Sequence, residues 1–380
     1  MLSFRGVANG VLCALFVTFC AASSTRIEAA PTQTGSISSR PFLMGFTRWP
    51  ADLTLEGITI SQDFAYKHGD IVSVMFIGGI PWQESLDGKP FSADVENNFQ
   101  NLPPPGKKLF LSISPLNMGH NGLALNWGIK DNLPLPESWN KRALDSVEVK
   151  RAYLNFVLRA VQAMKPDYLA IGIESNVLLS HDATKWRQLK NLNRETYGAV
   201  KKKFPALPVL FTTDVLHFKE IAPEARGSHQ AIEVADMMKW SDLFAMSLYP
   251  FMNADVKRPL PTDFLDFARS FRKPIAVSES GMTSRNVVLK SFKVTLEGSE
   301  DEQKSFVRQL LQTAARDNYR FVINFATTDF EKLCDKLPPP IDDLGRVWSF
   351  TGLQNSAQEA KPSLAVWDNF LRAKWKMTTP

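Results

Sequence analysis

From about residue 40 onward, short runs of apolar and β-branched residues alternate with longer stretches of helical periodicity. That alternation limits the folds open to the chain more than any other feature. The runs are 42–46 (FLMGF), 71–77 (IVSVMFI), 108–114 (KLFLSIS), 167–173 (DYLAIGI), 208–213 (PVLFTT), 242–248 (DLFAMSL), 274–278 (PIAVS) and 320–325 (RFVINF). Most are apolar almost throughout, as strands covered on both faces of a parallel sheet must be. Between them, Tyr153, Val157, Val161 and Met164 share a helical face within 146–165, and Phe306, Leu310, Leu311 and Ala314 do so within 300–317. A third helical stretch runs over 182–203. The last carries Leu364, Trp367 and Leu371 behind Pro362, a proline tolerated in a first turn. Eight strands, each followed by a helix or a long loop, predict a single-domain α/β fold, the (β/α)8 or TIM barrel. The competing open doubly wound sheet usually has a glycine-rich phosphate loop after an early strand. Here Thr47-Arg48-Trp49-Pro50 follows the first strand and cannot cradle a pyrophosphate.

The barrel leaves the N-terminus to be explained separately. Arg5 precedes an apolar run from Val11 to Ala22, and small residues follow up to Ala29 and Ala30. This is the pattern of a secretory signal, and the run is shorter than the ~20 residues that span a bilayer. The expected organisation is a signal peptide over 1–30, a linker over 31–40 and one catalytic domain over 41–377. The mature protein would be secreted or periplasmic, a monomer without a stable membrane span. Anchoring as a lipoprotein through Cys20 is the weaker option, because Phe19 stands where a small residue is wanted.

Removal of the signal would leave Cys334 as the only mature cysteine, so neither an intrachain disulfide nor a thiolate cluster is expected. The five histidines show no metal-ligand spacing, and neither a metal nor another cofactor is expected. The net charge of +5 is mild; its densest run, Lys201-Lys202-Lys203, reads as a solvated helix end rather than a nucleic-acid patch.

A barrel of this kind builds its active site at the C-terminal ends of its strands. The fourth run ends in Ile173-Glu174-Ser175-Asn176 and the seventh in Ser278-Glu279-Ser280-Gly281. Ionised carboxylates at the edge of an apolar core are costly unless something pairs with them. Two carboxyl groups facing each other across a barrel mouth are what a retaining glycosidase needs, one as acid and one as nucleophile.

At these residues the chain resembles clan A of the retaining glycoside hydrolases, with the galactanase and cellulase-like branches nearest. The resemblance covers most of the mature chain. It implies Glu279 as nucleophile, on the strand ending Glu-Ser-Gly, and Glu174 as general acid/base on the fourth strand. It also implies that Tyr249, in Ser247-Leu248-Tyr249-Pro250, hydrogen-bonds the nucleophile. The closing segment, from Trp348 through Gly352-Leu353 and Lys361-Pro362 to Trp367, is similar to the ending of many such enzymes. The clan usually has Asn before its acid/base; Ile173 stands there, and Asn176 is the candidate to replace the lost contact with the sugar.

The remaining candidates are substrate contacts. Asp214 and His217, after the fifth strand, either bind sugar hydroxyls or cap the next helix. Arg48 either neutralises the nucleophile or lies on the surface. Trp49, Trp82, Trp127, Trp139 and Trp348 follow strands, and indoles suit the C–H faces of sugars, so at least two are expected in the cleft. Asn117 and Asn324 are further hydroxyl ligands. The function expected is an exported retaining hydrolase of a poly- or oligosaccharide. The alternatives are a carbohydrate-binding barrel without catalysis and, against the scarcity of clustered ligands, a metal-dependent deacetylase.

Overall fold

A computed structural model describes residues 39–376. The expected signal peptide over 1–30 lies outside them, as does most of the 31–40 linker. The last two linker residues are structured: Ser39–Arg40 pairs in parallel with Lys374–Trp375. Buried Arg40 forms an ion pair with Asp70 at 2.7 Å and donates to the Phe42 carbonyl. This pairing ties the two ends of the domain together. Among the described residues no helix is long and apolar enough to cross a membrane.

Eight parallel strands form the barrel: β1 (Leu43–Thr47), β2 (Ile71–Phe76), β3 (Lys108–Ile113), β4 (Tyr168–Ala170), β5 (Val209–Leu210 continuing as Thr212–Asp214), β6 (Phe244–Leu248), β7 (Ile275–Ser280) and β8 (Phe321–Asn324). Sequential strands pair, β8 pairs with β1, and closure runs through β5 itself. Its first half pairs with β4 and its second with β6, around Phe211. Gly45 is needed at the β1–β2 contact, since a Cβ there would lie 1.8 Å from the Ile71 carbonyl oxygen.

The outer layer follows the sequence periodicities. Val147–Met164, Ala183–Lys203, Glu300–Arg316 and Pro362–Leu371 are helices, the first three capped by Ser146, Asp182 and Ser299 side chains. Leu55–Lys67, capped by Thr54, is a further helix after β1. Between β6 and β7 the described chain has only 3-10 turns, including Asp266–Phe271, so the ring of helices is incomplete there.

Alternation along the strands divides the core. Leu43, Ile71, Phe110, Ala170, Leu210, Ala245, Ala276, Phe321 and Ile323 fill the barrel interior. Their neighbours Met44, Leu109, Leu111, Leu169, Val209, Phe244, Met246 and Val277 face the helices. Toward the C-terminal ends the inward series turns polar: Thr47, Ser73, Ser112, Thr212, Asp214 and Ser247, all buried. The apolar layer is thus the floor of the site and the hydroxyl layer its wall.

Candidate active site

Glu279 reaches the mouth of the barrel because β7 carries a bulge. Met246 pairs with Val277, but the next residue, Ser247, pairs with Glu279, so Ser278 is the extra residue. Without it, Glu279 would share the outward parity of Val277. One inserted residue moves a carboxylate from the helix side to the interior side. The Ser278 hydroxyl holds the bulge by donating to the Met246 carbonyl at 3.0 Å. Tyr249, at the end of β6, donates its hydroxyl to Glu279 Oε2 at 3.0 Å, and both residues are buried.

Glu174 is held differently. Regular pairing of β4 stops at Ala170, and residues 171–175 form a turn braced by β5. Thr212 N–H donates to the Gly172 carbonyl at 2.9 Å, and Ser175 N–H donates to the Thr212 carbonyl at 2.9 Å. Glu174 sits at φ 44°, a left-handed conformation that costs a non-glycine residue roughly 1–2 kcal/mol. Its N–H is fixed by the Thr212 hydroxyl at 2.7 Å. From outside the barrel, the Tyr153 hydroxyl donates to the carbonyls of Ile113 and Ile171, 3.0 Å each, pinning the ends of β3 and β4 together.

The two carboxyls sit in an environment that separates their acidities. Burial, then the nearby Glu279 and Asp214 charges, push Glu174 well above the usual carboxylate range, with the Ser247 hydroxyl opposing the shift. Burial also pushes Glu279 up, but the Tyr249 hydrogen bond holds it to about 7. A pair that must share a proton therefore keeps it on Glu174. His120 lies on the long loop after β3 with its Nε2 3.7 Å from Glu174 Oε2. Burial and the nearby His217 lower its pKa to about 4, so it stays neutral beside Glu174.

Asp214 and His217 form a second cluster next to the first. Asp214 Oδ1 accepts from the His217 backbone N–H at 2.7 Å and lies 2.6 Å from its Nδ1; Nε2 lies 3.1 Å from Glu224. Burial alone would lower the His217 pKa, but the two carboxylates overcome it and raise it to about 10. His217 is thus a fixed imidazolium at neutral pH, and Asp214 both caps the helical turn and holds that charge.

The other residues singled out in the sequence are distributed unevenly. Trp348 stands 6.1 Å from the Tyr249 ring, and Trp49 packs at 5.6 Å from Phe325, itself 6.4 Å from Tyr249. These rings form an aromatic collar around Tyr249, the hydrogen-bond partner of Glu279. Trp82, Trp127 and Trp139 are buried under the long loop instead, with their indole N–H groups on the Ala124 carbonyl, Asp94 and Gln83. The long loop folds back over them and removes them from the cleft.

Arg48 is held by Tyr66 and Asn101 rather than by Glu279. The Asn176 amide lies inside the protein, between the Asp214 backbone and Gln230, where it clamps the turn after β4 to β5. It is fully buried and does not face the position left by Ile173. Asn324 has outward parity on β8 and donates to the carbonyls of Ala326 and Thr351. Asn117 closes the 117–122 turn by bonding Asn121, and so shapes the loop that presents His120.

Sequence reasoning missed Thr212, Ser247, His120 and Glu224. The inward parity of Thr212 and Asp214 on one strand end was a usable signal for the first; His120 had only its place in the long loop. No cluster of three or more metal-binding side chains occurs among the described residues.

The model of glycosyl hydrolase family 53 matches residues 130–322, just over half of the chain and a segment containing both glutamates, Asp214, His217 and Tyr249. A search of curated proteins finds no match. Solved structures share the fold at low identity. An exo-β-1,4-mannosidase from Opitutaceae bacterium strain TAV5 is 15% identical with a TM-score of 0.62, over 91% of this chain and 62% of that one. The chain therefore spans less than two thirds of that enzyme's length. The GH53 catalytic domain of Ignisphaera aggregans is 17% identical with a TM-score of 0.54, over 88% of this chain and 97% of that one. Xylanase 10B from Thermotoga maritima is 10% identical with a TM-score of 0.57, over 87% and 95%. The chain belongs to glycosyl hydrolase family 53, and with it to the clan A retaining glycoside hydrolases on a (β/α)8 barrel.

Proposed function

We propose that this enzyme cleaves an internal or terminal O-glycosidic bond of a poly- or oligosaccharide outside the cytoplasm by double displacement, with Glu174 as acid/base and Glu279 as nucleophile. The single observation that carries the assignment of roles is the Tyr249 hydroxyl donating to Glu279 Oε2 at 3.0 Å, with no such donor on the Glu174 carboxyl among the described residues. Tyr249 favours the charged form of Glu279, while burial and two neighbouring carboxylates keep the proton on Glu174.

In the first step the Glu279 carboxylate attacks the anomeric carbon as the bond to the leaving oxygen breaks, and Glu174 gives that oxygen its proton. This produces a glycosyl ester on Glu279 and a carboxylate on Glu174. In the second step Glu174 takes a proton from water, whose oxygen attacks the same carbon and releases Glu279. The Trp49 and Trp348 rings offer apolar faces to the sugar beside the nucleophile. Export rests on the signal-like pattern of residues 1–30.

The experiment is reducing-end release from a panel of β-glycans (galactan, mannan, xylan and cellulose), with the anomer of the first product read by NMR. Retention of configuration in the wild type, with turnover abolished in Glu279→Gln, is expected. Inversion, or full turnover by Glu279→Gln, would rule out these roles.

A further inference from the structure

Glu174 has a histidine beside it that neither half of the double displacement uses. His120 reaches the barrel mouth from the long loop after β3, with Nε2 3.7 Å from Glu174 Oε2. Its side chain is 15% exposed, and its other ring nitrogen, Nδ1, is buried without a hydrogen-bond partner. The loop is built to hold it there. His120 takes a left-handed backbone, φ 49°, and its N–H donates to the Asn117 carbonyl at 2.9 Å. The Asn117 N–H closes the same turn on the Gly122 carbonyl at 3.0 Å. Lys185, on the Ala183–Lys203 helix, fixes the turn from outside by donating to the Asn121 carbonyl at 2.6 Å.

The surroundings fix the state of this ring. Besides Glu174, His120 faces His217, Asp214 and His181. Burial first, then repulsion from the His217 imidazolium, keep it neutral, with a single ring proton. On Nδ1 that proton would be a buried donor without an acceptor, which folded proteins rarely keep. It therefore belongs on Nε2, the nitrogen that faces Glu174. While Glu174 is itself protonated the N–H has little to bind, which matches a separation longer than a hydrogen bond. Once Glu174 is a carboxylate, the same N–H can close to ~2.8 Å on a charged acceptor, a contact about twice as strong as a neutral one. Catalytic hydrogen bonds are often long in a free enzyme and tighten only as the reaction proceeds.

We infer that His120 is a positioning residue for the acid/base: its Nε2–H closes on Glu174 as that carboxyl gives its proton to the leaving oxygen, and stabilises the charge that develops there. His120 keeps its own proton throughout. The proton transferred comes from Glu174, the glycosidic bond breaks, and the ester forms on Glu279. Such a donor helps only while charge grows on its acceptor. It favours the first step, in which Glu174 becomes anionic, and not the second, in which Glu174 recovers a proton from water. Because His120 acts through Glu174, the proposal rests on the acid/base reading, and a variant of Glu174 itself is part of the test.

The probes are aryl β-glycosides of galactobiose, mannobiose, xylobiose and cellobiose, running from dinitrophenyl to unsubstituted phenyl leaving groups. His120→Phe keeps a ring and removes both nitrogens. It is expected to lower kcat/KM about tenfold on phenyl glycosides, whose oxygen needs a proton, and to leave it nearly unchanged on dinitrophenyl glycosides. Where hydrolysis of the glycosyl ester limits kcat, as on the dinitrophenyl glycosides, kcat should also hold. A uniform loss across the series, or none, overturns the inference. So does an equal slowing of ester hydrolysis, which would mean that His120 only keeps Glu174 in place. In a Glu174→Gln background His120→Phe should change nothing further, and an undiminished effect there overturns the inference too. If Glu174→Gln itself loses no more on phenyl than on dinitrophenyl glycosides, the acid/base reading fails and His120 has no acid to assist. Should His120→Phe not fold, His120→Asn suits the left-handed backbone and withdraws the donor, and the same outcomes decide.

Discussion

The two glutamates occupy the same barrel mouth but are built by opposite means. Glu279 belongs to a strand that remains hydrogen-bonded past it, and a single bulge at Ser278 sets its direction. Glu174 belongs to a turn where regular pairing has ended, in a left-handed conformation held by a threonine of the neighbouring strand. As the proposed nucleophile, Glu279 needs a fixed position, and a strand provides it. As the proposed acid/base, Glu174 must bring its carboxyl over the barrel while staying desolvated, and the turn carries it there at a cost in backbone strain. Placement of the first is a matter of register, and placement of the second is a matter of bracing.

The largest effect should come from Glu279→Gln, which removes the group proposed to form the glycosyl ester. Loss of about 10⁴-fold or more in kcat is expected, as for other nucleophile deletions. Azide added to a Glu279→Gly variant should restore turnover with inverted product, and retained configuration would exclude Glu279 as the nucleophile. Glu174→Gln removes the proposed general acid/base, a kind of catalysis typically worth about 10²–10⁴-fold. The loss should be much smaller in the glycosylation step for an aryl glycoside whose leaving group needs no proton. Equal losses on activated and unactivated substrates would contradict the assignment.

Tyr249→Phe sharpens the contrast in acidity. The hydroxyl now favours the charged form of Glu279, so its removal raises that pKa above about 7. The free enzyme needs Glu279 ionised, so kcat/KM should fall as pH drops through about 7 in the wild type and at a higher pH in the variant. A loss of ten- to a hundredfold at pH 6 is expected, shrinking as pH rises, because the hydrogen bond to a charged acceptor is worth about 1.5–3 kcal/mol. A pH profile unmoved on its acidic side would show that the tyrosine does not tune the nucleophile.

The same contrast explains how much was legible in the sequence. The eight strands, four of the helices and the barrel closure follow from periodicity and count. Glu279 stood out as a carboxylate at the end of an apolar run, and Tyr249 through the resemblance of its segment to clan A. The direction of Glu279 was not readable, because β7 is apolar on both faces and nothing in Pro-Ile-Ala-Val-Ser marks an extra residue. The tryptophans were read by segment, but a segment after a strand can fold back, and Trp82 and Trp139 stack on each other beneath the surface at 5.2 Å. Asn176 shows the limit for short polar residues. It adjoins the acid/base in sequence, yet its amide serves the packing of β4 on β5. Partners such as Thr212 and His120 come from other strands and loops, so only the closed barrel brings them to Glu174.

The smallest effect tests the bracing itself. Thr212→Val keeps the shape of a side chain that is 1% exposed and removes only the hydroxyl that accepts the Glu174 N–H. The lost hydrogen bond should lower stability by about 1 kcal/mol. With its partner gone, the strained turn at Glu174 gains alternatives, and the carboxyl occupies its working position for a smaller fraction of the time. The expected signature is a fall in kcat of about tenfold on substrates with poor leaving groups and little change on activated aryl glycosides, because misplacement of the acid matters only where a proton must be given. Thr212→Ser, which retains the oxygen, should recover most of the loss. If valine and serine behaved alike, the hydroxyl would not be what holds the turn, and the difference between the two glutamates would reduce to their strands alone.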